Sequence, residues 1–215
     1  MNGRISQEEA PRVAEVLGRV HGASARTGFD RAPFQNRDDF RAIRIEPYLT
    51  ETTRVHPDLR AHIAPLEARL YESSQVLVHG DVSPKNILFR DRSAVLLDAE
   101  CATMGDASFD AAFCLNHLIL KAIHVPRIRA GLFKAAARFW EVYADHIHWE
   151  DPAALEKRVC ALLPVLMLAR VDGKSPVEYL GVDEQEHVRH IAKPLTLNPP
   201  HRISSFVAAL RKACP

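Results

Sequence analysis

The sequence lacks the features that mark several large classes of protein. Lys and Arg total 28 against 27 Asp and Glu, so the formal charge of +1 gives no electrostatic reason to expect a nucleic acid or an anionic membrane as partner. No apolar run approaches the roughly 18 residues of a membrane span, and the start MNGRISQEEAPRVAE has no apolar core of signal-peptide length. We therefore expect a cytoplasmic protein that binds neither a membrane nor nucleic acid.

Cysteine is also scarce. The four cysteines are far apart and form no CxxC pair, which argues against a disulfide framework and against a zinc site. We expect reduced thiols, buried as small apolar side chains. They are Cys101, Cys114, Cys160 and Cys214.

The hydrophobic content is ample by contrast, at 47% of 215 residues, and we predict a single domain over 1–215. Apolar residues at helical spacing predict helices over 6–22, beginning at a Ser6 and Glu9 capping box, and over 46–72, with Pro47 in a first turn. The polar, turn-rich stretch 24–44 between them predicts a loop that could form one wall of a ligand site.

The pattern changes at Gln75, where the short runs VLV, ILF and AVLLD predict strands within a β insert and loop over 75–100. Asp106 can cap the next helix, and helical patterns continue over 106–213, with Pro194 in a connector before the last helix. The predicted fold class is therefore α+β, mostly α, with a small β insert.

The stretch LVHGDVSPKNILF places polar residues between two strand-like ends. Transfer of a phosphoryl group needs a carboxylate to orient the attacking hydroxyl and oxygen ligands to hold Mg²⁺ against the phosphates. Asp81 and Asn86 are five positions apart, and a hairpin would return Asp98 beside Asn86. Turn chemistry alone explains Asp and Asn in a loop, but not this spacing together with an acidic residue at the end of the next strand.

The motif HGDVSPKN resembles the catalytic loop of the aminoglycoside phosphotransferase and choline kinase-like enzymes, which are small-molecule relatives of protein kinases. LLDAECATMGDASFDAAF resembles the metal-binding segment of that family and the helix after it. The resemblance implies the C-terminal lobe of a kinase-like fold, and a kinase that uses ATP and Mg²⁺ to phosphorylate a small hydroxylated molecule.

Carried over residue by residue, the resemblance makes Asp81 the catalytic base and Asn86 and Asp98 the magnesium ligands. His79 would brace the loop, and Asp110 would tie the following helix to the loop backbone. Three further assignments are less specific. Lys85 is either a phosphate contact or a solvated turn residue, Ser83 either faces the phosphates or caps the Pro84 turn, and Glu100 is a further candidate metal ligand.

Polar residues further along the chain are candidates for binding the acceptor. LARVDGKSP ends an apolar helix with closely spaced charges, which either lean into the cleft or are simply exposed at the helix end. Two polar residues on the preceding apolar helix are candidates for the same wall, although a buried structural histidine is the alternative for one of them. The candidates are Asn116, His117, Arg170, Asp172 and Lys174.

A kinase-like enzyme also needs a nucleotide lobe with a glycine-rich loop and a strand lysine, and neither GxGxxG nor a VAIK-like strand precedes Asp81. We expect that lobe to be absent from 1–215, so that a second chain could be needed to complete the enzyme. Two alternatives stay open. One is a non-catalytic module that binds a small molecule, and the other is a metal-dependent phosphohydrolase using Asp81 and Asp98.

Overall fold

A computed structural model describes residues 8–91 and 93–214. The predicted capping box at Ser6 lies outside the described residues. Nine α-helices, a π-helical segment over Arg41–Thr50 and four strands occur within these ranges. The helices are α1 Glu9–Ser24, α2 Arg37–Phe40, α3 Glu51–Val55, α4 Arg60–Glu72, α5 Ser108–His124, α6 Arg129–Ala144, α7 Pro152–Asp172, α8 Val182–Leu197 and α9 Ile203–Ala213, and the strands are β1 Val76–Val78, β2 Ile87–Arg90, β3 Ser93–Leu96 and β4 Thr103–Gly105.

The strands form two small antiparallel sheets. Strand β1 pairs with β4, and β2 pairs with β3 as a hairpin in which Leu88 faces Val95. The mostly helical α+β class is thereby confirmed, whereas the assignment to one lobe of a kinase-like fold stays a prediction. Strand β4 was not predicted, because Thr103, Met104 and Gly105 form no apolar run and the strand depends on its pairing with β1.

Three sequence predictions about helices are wrong. The expected loop 24–44 becomes helical at Arg37, and Pro47 lies inside the π-helical segment rather than in a first turn. A proline cannot donate to the carbonyl four residues back, which an α-helix would require, so the segment departs from α geometry there. Pro194 likewise lies inside α8, which continues to Leu197, and is not part of a connector.

Helix α5 lies at the centre of the core and packs against α6 and α7. Its Phe109 and Phe113 are stacked with centroids 5.4 Å apart, and Phe40 meets Phe109 edge-on at 4.9 Å. Helix α1 packs along α6, and α7 packs against α8. Because apolar side chains cover nearly all sides of α5, its few polar residues need partners inside the protein.

The N-cap of α5 is Ala107, so the predicted cap at Asp106 lies one residue too early, but the Asp106 carboxylate still supports the start of the helix. Its Oδ1 accepts a hydrogen bond from Ser108 N at 2.9 Å, and its Oδ2 is 2.8 Å from Arg69 Nε and 3.1 Å from Arg158 Nε. Burial raises the pKa of this carboxyl. Arg158, Ser108 and Arg69 together lower the pKa by more than burial raises it, so the net pKa lies below its usual value. The start of α5 is therefore held by a buried, ionised carboxylate.

All four cysteines are buried and free, as predicted. Within residues 8–91 and 93–214, no helix combines the length and apolar character needed to cross a lipid bilayer.

Candidate active site around Asp81

The loop that carries Asp81 begins where β1 ends. Its turn is made by Gly80, whose φ of +82° is in the left-handed region that favours glycine. A Cβ at Gly80 would also lie only 2.7 Å from Cys101 Sγ. Both the backbone conformation and the close approach of Cys101 therefore call for glycine immediately before Asp81.

Asp110 of α5 holds the backbone of this loop. Its Oδ2 accepts a hydrogen bond from His79 N at 2.7 Å, and its Oδ1 accepts one from Gly80 N at 2.9 Å. Asp110 has no exposed surface, so these bonds replace the water that its carboxylate gives up on folding. Asp110 therefore ties α5 to the backbone of the loop.

Two further buried residues extend the interaction. His21 Nε2 lies 3.2 Å from Asp110 Oδ2, and His21 Nδ1 lies 2.6 Å from the Tyr143 hydroxyl. Burial, followed by nearby carboxylates, raises the pKa of Tyr143 well above its usual range. The tyrosine therefore keeps its proton and can donate it to Nδ1, while Nε2 donates to the carboxylate. Helices α1, α5 and α6 are joined in this way behind the loop.

His79 braces the loop from the other side. Its Nε2 donates to the Leu97 carbonyl at 3.1 Å, and its Nδ1 accepts from Asp81 N at 3.2 Å. The side chain thus connects the loop to the residue that precedes Asp98. Among the described hydrogen bonds of the His79 side chain, none goes to the Asp81 carboxylate.

The Asp81 carboxylate is flanked by two cations. Its Oδ2 is 3.3 Å from Arg44 Nη2 and 3.2 Å from Lys85 Nζ, which leaves Oδ1 without an ion pair. Burial raises the pKa of this carboxyl, but Ser83, Arg44 and Lys85 together lower it below its usual value. The Ser83 hydroxyl is buried near the carboxylate but makes no well-aligned hydrogen bond. Asp81 is therefore ionised at neutral pH.

Arg44 was not singled out from the sequence. It comes from the π-helical segment, where its Nε donates to the Gly80 carbonyl and its Nη1 donates to the Ile43 carbonyl at 2.9 Å. The Ile43 carbonyl is the one that Pro47 cannot serve, because proline has no N–H. Pro47 thus signals a carbonyl without a helical donor at Ile43, four residues earlier, but it does not indicate which arginine meets Asp81.

The hairpin brings the segment before Asp98 back beside Asn86. Leu97 N donates to the Asn86 carbonyl at 2.8 Å, which extends the β2–β3 pairing by one position. Asn86 Nδ2 donates to the Asp81 carbonyl at 3.2 Å, so its Oδ1 is the atom that could bind a cation. Asp98 is exposed, with φ of 63°, and neither it nor Glu100 has a partner among the described side chains.

These donors suit Mg²⁺ better than zinc. Asn86, Asp98 and Glu100 offer only hard oxygen atoms, which is the ligand type of Mg²⁺. Within the described residues, no group of three or more His, Cys, Asp or Glu side chains could hold a metal ion. A site with one amide and one or two carboxylates fits an ion whose remaining ligands are phosphate oxygens and water.

Three of the predicted acceptor residues contain buried polar atoms without partners. They are both side-chain amide atoms of Asn116, Nε2 of His117 and Nε of Arg170. Burial, followed by the nearby Arg170, lowers the pKa of His117 to about 4, so its ring is neutral at pH 7. Arg170 Nη1 donates to the Tyr48 hydroxyl at 3.2 Å and to the Ser175 carbonyl at 2.5 Å. Unsatisfied buried polar atoms are uncommon, so these four atoms are candidates for contact with a ligand.

The remaining two candidates are placed differently. Asp172 makes a two-pronged ion pair with Arg189, with Nη2 to Oδ1 at 2.7 Å, and its Oδ2 is 2.8 Å from His56 Nε2. Lys174 is exposed, and its backbone N donates to the Pro47 carbonyl at 3.2 Å. Asp172 is therefore engaged in joining α7 to α8, and the structure does not bring Lys174 into a contact with the other candidates.

Comparison with known proteins agrees with this geometry. A model of the phosphotransferase enzyme family matches residues 2–146, which is more than half of the chain. The chain belongs to the phosphotransferase enzyme family. The resemblance carried by HGDVSPKN is thereby confirmed for this family.

Curated relatives include several methylthioribose kinases. The chain is 33% identical to the one from Erwinia tasmaniensis over 110 residues, which are 47% of this chain and 27% of that protein. It is 29% identical to the one from Yersinia enterocolitica over 92 residues, 43% of this chain and 23% of that protein. For Geobacillus thermodenitrificans the identity is 31% over 91 residues, with 41% and 23% covered. The chain thus spans about a quarter of the length of the curated relatives it matches.

We expect Tyr143→Phe to destabilise the protein, because it leaves His21 Nδ1 buried without a donor. The free energy of unfolding should fall by about 1 to 3 kcal/mol, measured by urea denaturation. Tyr71→Phe is the matched control, because the Tyr71 hydroxyl donates to Asp38 at the surface. That control should change the stability by less than about 0.5 kcal/mol. Equal effects of the two substitutions would contradict the buried interaction.

We expect Arg44→Gln to raise the pKa of Asp81, because it removes a cation that favours the ionised carboxylate. The wild-type group stays ionised to a lower pH than an ordinary aspartate, so the variant should become protonated at a higher pH. Carbon-13 NMR of the side-chain carboxyl measures this titration. Arg41→Gln is the control, because Arg41 pairs with Glu46 at the surface of the same segment. An unchanged Asp81 midpoint in Arg44→Gln would refute the electrostatic role of Arg44.

Proposed function

We propose that this protein is the catalytic part of an ATP-dependent kinase that phosphorylates a hydroxyl group of a small, sugar-like molecule. The observation that carries the proposal is the ionised Asp81, paired with Arg44 and Lys85 at Oδ2 and free of ion pairs at Oδ1. Family membership and the relatives named methylthioribose kinase support it. The chain spans only part of the length of those relatives, so kinase activity of the whole protein is part of what we propose.

In the proposed reaction, Asp81 Oδ1 accepts a hydrogen bond from the acceptor hydroxyl and orients it toward the γ-phosphoryl group of ATP. The transition state of phosphoryl transfer is loose, so positioning contributes more than strong basicity. A carboxylate whose pKa lies below its usual value suits this role, because it stays ionised and fixed in place. Lys85 is mostly exposed and can lean from Asp81 toward the transferred phosphate.

Asn86 and Asp98 would hold Mg²⁺, with Glu100 as a further carboxylate nearby. When bound, the ion would neutralise charge on the phosphates of ATP. The Asp98 carboxylate has no competing cation among the described side chains, so it can accept the ion without breaking an ion pair. The donation from His79 to the Leu97 carbonyl fixes the backbone just before this ligand.

The outer face of the β2–β3 hairpin offers a surface for the nucleobase. Leu88 and Val95 are paired across the hairpin, and Leu97 lies two residues further along the same face as Asn86. These three side chains are 53%, 39% and 43% exposed. An apolar patch beside the metal ligands would cover the flat face of a base while the phosphates reach Asn86.

The charges around Asp81 favour an acceptor without positive charge. Arg44 and Lys85 contact the carboxylate, and Arg170 is close enough to His117 to lower its pKa. A polycationic acceptor would be repelled by these three groups. A neutral polyol could satisfy the unpartnered atoms of His117 and Arg170 with its hydroxyl groups. We therefore favour a sugar over an aminoglycoside or choline.

The proposal also requires a cover for the nucleotide. Water at an open site weakens electrostatic contacts with the phosphates, and kinases exclude it with a glycine-rich lobe. The 215 residues contain no GxGxxG motif. We propose that polypeptide outside this chain, in the form of an N-terminal lobe or a second protein, supplies the cover.

Phosphorylation of 5-methylthioribose and kanamycin by the protein, supplied with the nucleotide lobe of a methylthioribose kinase, Mg²⁺ and ATP, tests the proposal. Mass spectrometry should detect a phosphoester of the neutral sugar in preference to the cation. Asp81→Asn should lower that turnover by about 10²-fold or more. Asp91→Asn is the matched control, because Asp91 is an exposed aspartate of the same hairpin. This substitution should leave the turnover unchanged.

Each alternative gives a different result in the same assay. Release of inorganic phosphate without any acceptor, lost in Asp81→Asn, would indicate a phosphohydrolase. A binding module would bind an acceptor, as measured by calorimetry. It would form no product, even when a nucleotide lobe from a methylthioribose kinase is added. Undiminished turnover in Asp81→Asn would remove Asp81 from the proposed role.

We expect Asp98→Asn to weaken the binding of Mn²⁺, used as a spectroscopic substitute for Mg²⁺, in the presence of ADP. Loss of a ligand carboxylate should weaken affinity at least about tenfold, measured by water-proton relaxation. Asp91→Asn is again a suitable control, because Asp91 and Asp98 share a left-handed backbone, with φ of 55° and 63°. Asparagine tolerates that conformation, so neither substitution strains the backbone. Equal affinities for Asp98→Asn and wild type would contradict the ligand assignment.

A further inference from the structure

A second concave site lies away from Asp81. It is a groove of about 890 Å³ between the C-terminal half of α1, strand β3 and the segment 146–149 that links α6 to α7. Its volume is within the range of small-molecule sites, roughly 300 to 1,000 Å³. None of Asp81, Asn86 and Asp98 lines it, so it is separate from the proposed active site.

Two glycines of α1 shape this groove. A Cβ at Gly18 would lie 2.7 Å from His146 Cβ, and a Cβ at Gly22 would lie 3.5 Å from the His146 carbonyl oxygen. Because neither residue has a side chain, the segment 146–149 approaches α1 closely and forms one wall. Trp149 is fixed in that wall, since its Nε1 donates to Glu150 at 3.0 Å and its ring meets His21 edge-on at 6.0 Å.

The charge of the groove has one sign. Arg19 and Arg26 line it and are exposed, and their side chains make no hydrogen bond or ion pair with another described residue. Two histidines, His146 and His148, also line it, and the described lining contains no Asp or Glu. Other arginines, such as Arg12, Arg54 and Arg138, pair with carboxylates, which the described lining of the groove does not offer.

We propose that the groove binds a small anionic molecule with an apolar or aromatic body. The guanidinium groups of Arg19 and Arg26 match the geometry of a phosphate, sulfonate or carboxylate. The ring of Trp149 and the aliphatic side chains of α1, such as Val16 and Val20, cover the apolar part. A cation would meet two unpaired arginines, and an uncharged molecule would leave both unpaired.

The probe pair 8-anilinonaphthalene-1-sulfonate and N-phenyl-1-naphthylamine tests this proposal. The two have the same aromatic body, but only the first carries an anion. The sulfonate should bind the whole chain at least about tenfold more tightly than the neutral amine, measured by fluorescence titration. Its emission should also be excited through tryptophan, and Trp149→Phe should lower that energy transfer.

Substitutions locate the binding. The double variant Arg19→Gln with Arg26→Gln should weaken the sulfonate at least about tenfold and leave the neutral amine within about twofold. Arg60→Gln with Arg211→Gln is the matched control, because both arginines are exposed and outside the groove. This control should leave the affinities for both probes unchanged. Ala23→Phe, on the exposed face of α1 that lines the groove, should block both probes without altering the core.

The exposed apolar face of the hairpin is the competing site for such probes. Leu88→Asp removes that site and should leave the sulfonate affinity unchanged. Loss of binding in Leu88→Asp, or unchanged binding in the double arginine variant, would overturn the proposal. These readouts need no turnover, so failure of the proposed kinase activity and failure of this proposal are separate results.

Discussion

The carboxylate of Asp110 has no exposed surface, so its oxygen atoms must find their hydrogen bonds inside the protein. It finds them in the backbone N–H groups of His79 and Gly80 and in the imidazole of His21. Satisfying one buried charge therefore fixes two consecutive peptide units just before Asp81. The position of the Asp81 carboxylate relative to α1 and α5 follows from this constraint, because any shift of the loop would leave Asp110 unpaired.

The parts of this arrangement that are local in sequence could be predicted. The runs around Leu77, Leu88 and Val95 have the length and composition of short strands, and the turn between β2 and β3 fixes their pairing, so the hairpin follows from neighbouring residues. Asp81 and Asn86 lie in one loop, so their spacing could also be recognised from neighbouring residues alone. The mostly helical class likewise follows from apolar periodicity, which reports burial directly.

The parts that depend on distant contacts could not be predicted. Arg44 meets a loop 36 residues away, and His21 meets Tyr143 across 122 residues. Neither residue type nor spacing indicates such a pairing in a single sequence. The stretch 24–44 looked like a loop because of its polar composition, yet burial of Phe40 against Phe109 stabilises a helix there. Tertiary packing overrode local preference at that point, as it did for Pro194 within α8.

The carboxylates of the site differ in a way that separates their proposed roles. Asp81 is already paired with two cations, so a divalent ion would have to displace Arg44 or Lys85 to bind Oδ2. Asp98 and Glu100 are exposed and have no such partner among the described side chains, so an ion placed near the hairpin would favour them. Arg44 would thus act in two ways, by keeping Asp81 ionised and by directing the metal away from it. Without Arg44, the two carboxylates would compete for the same ion, and the acceptor hydroxyl would lose the oxygen that orients it.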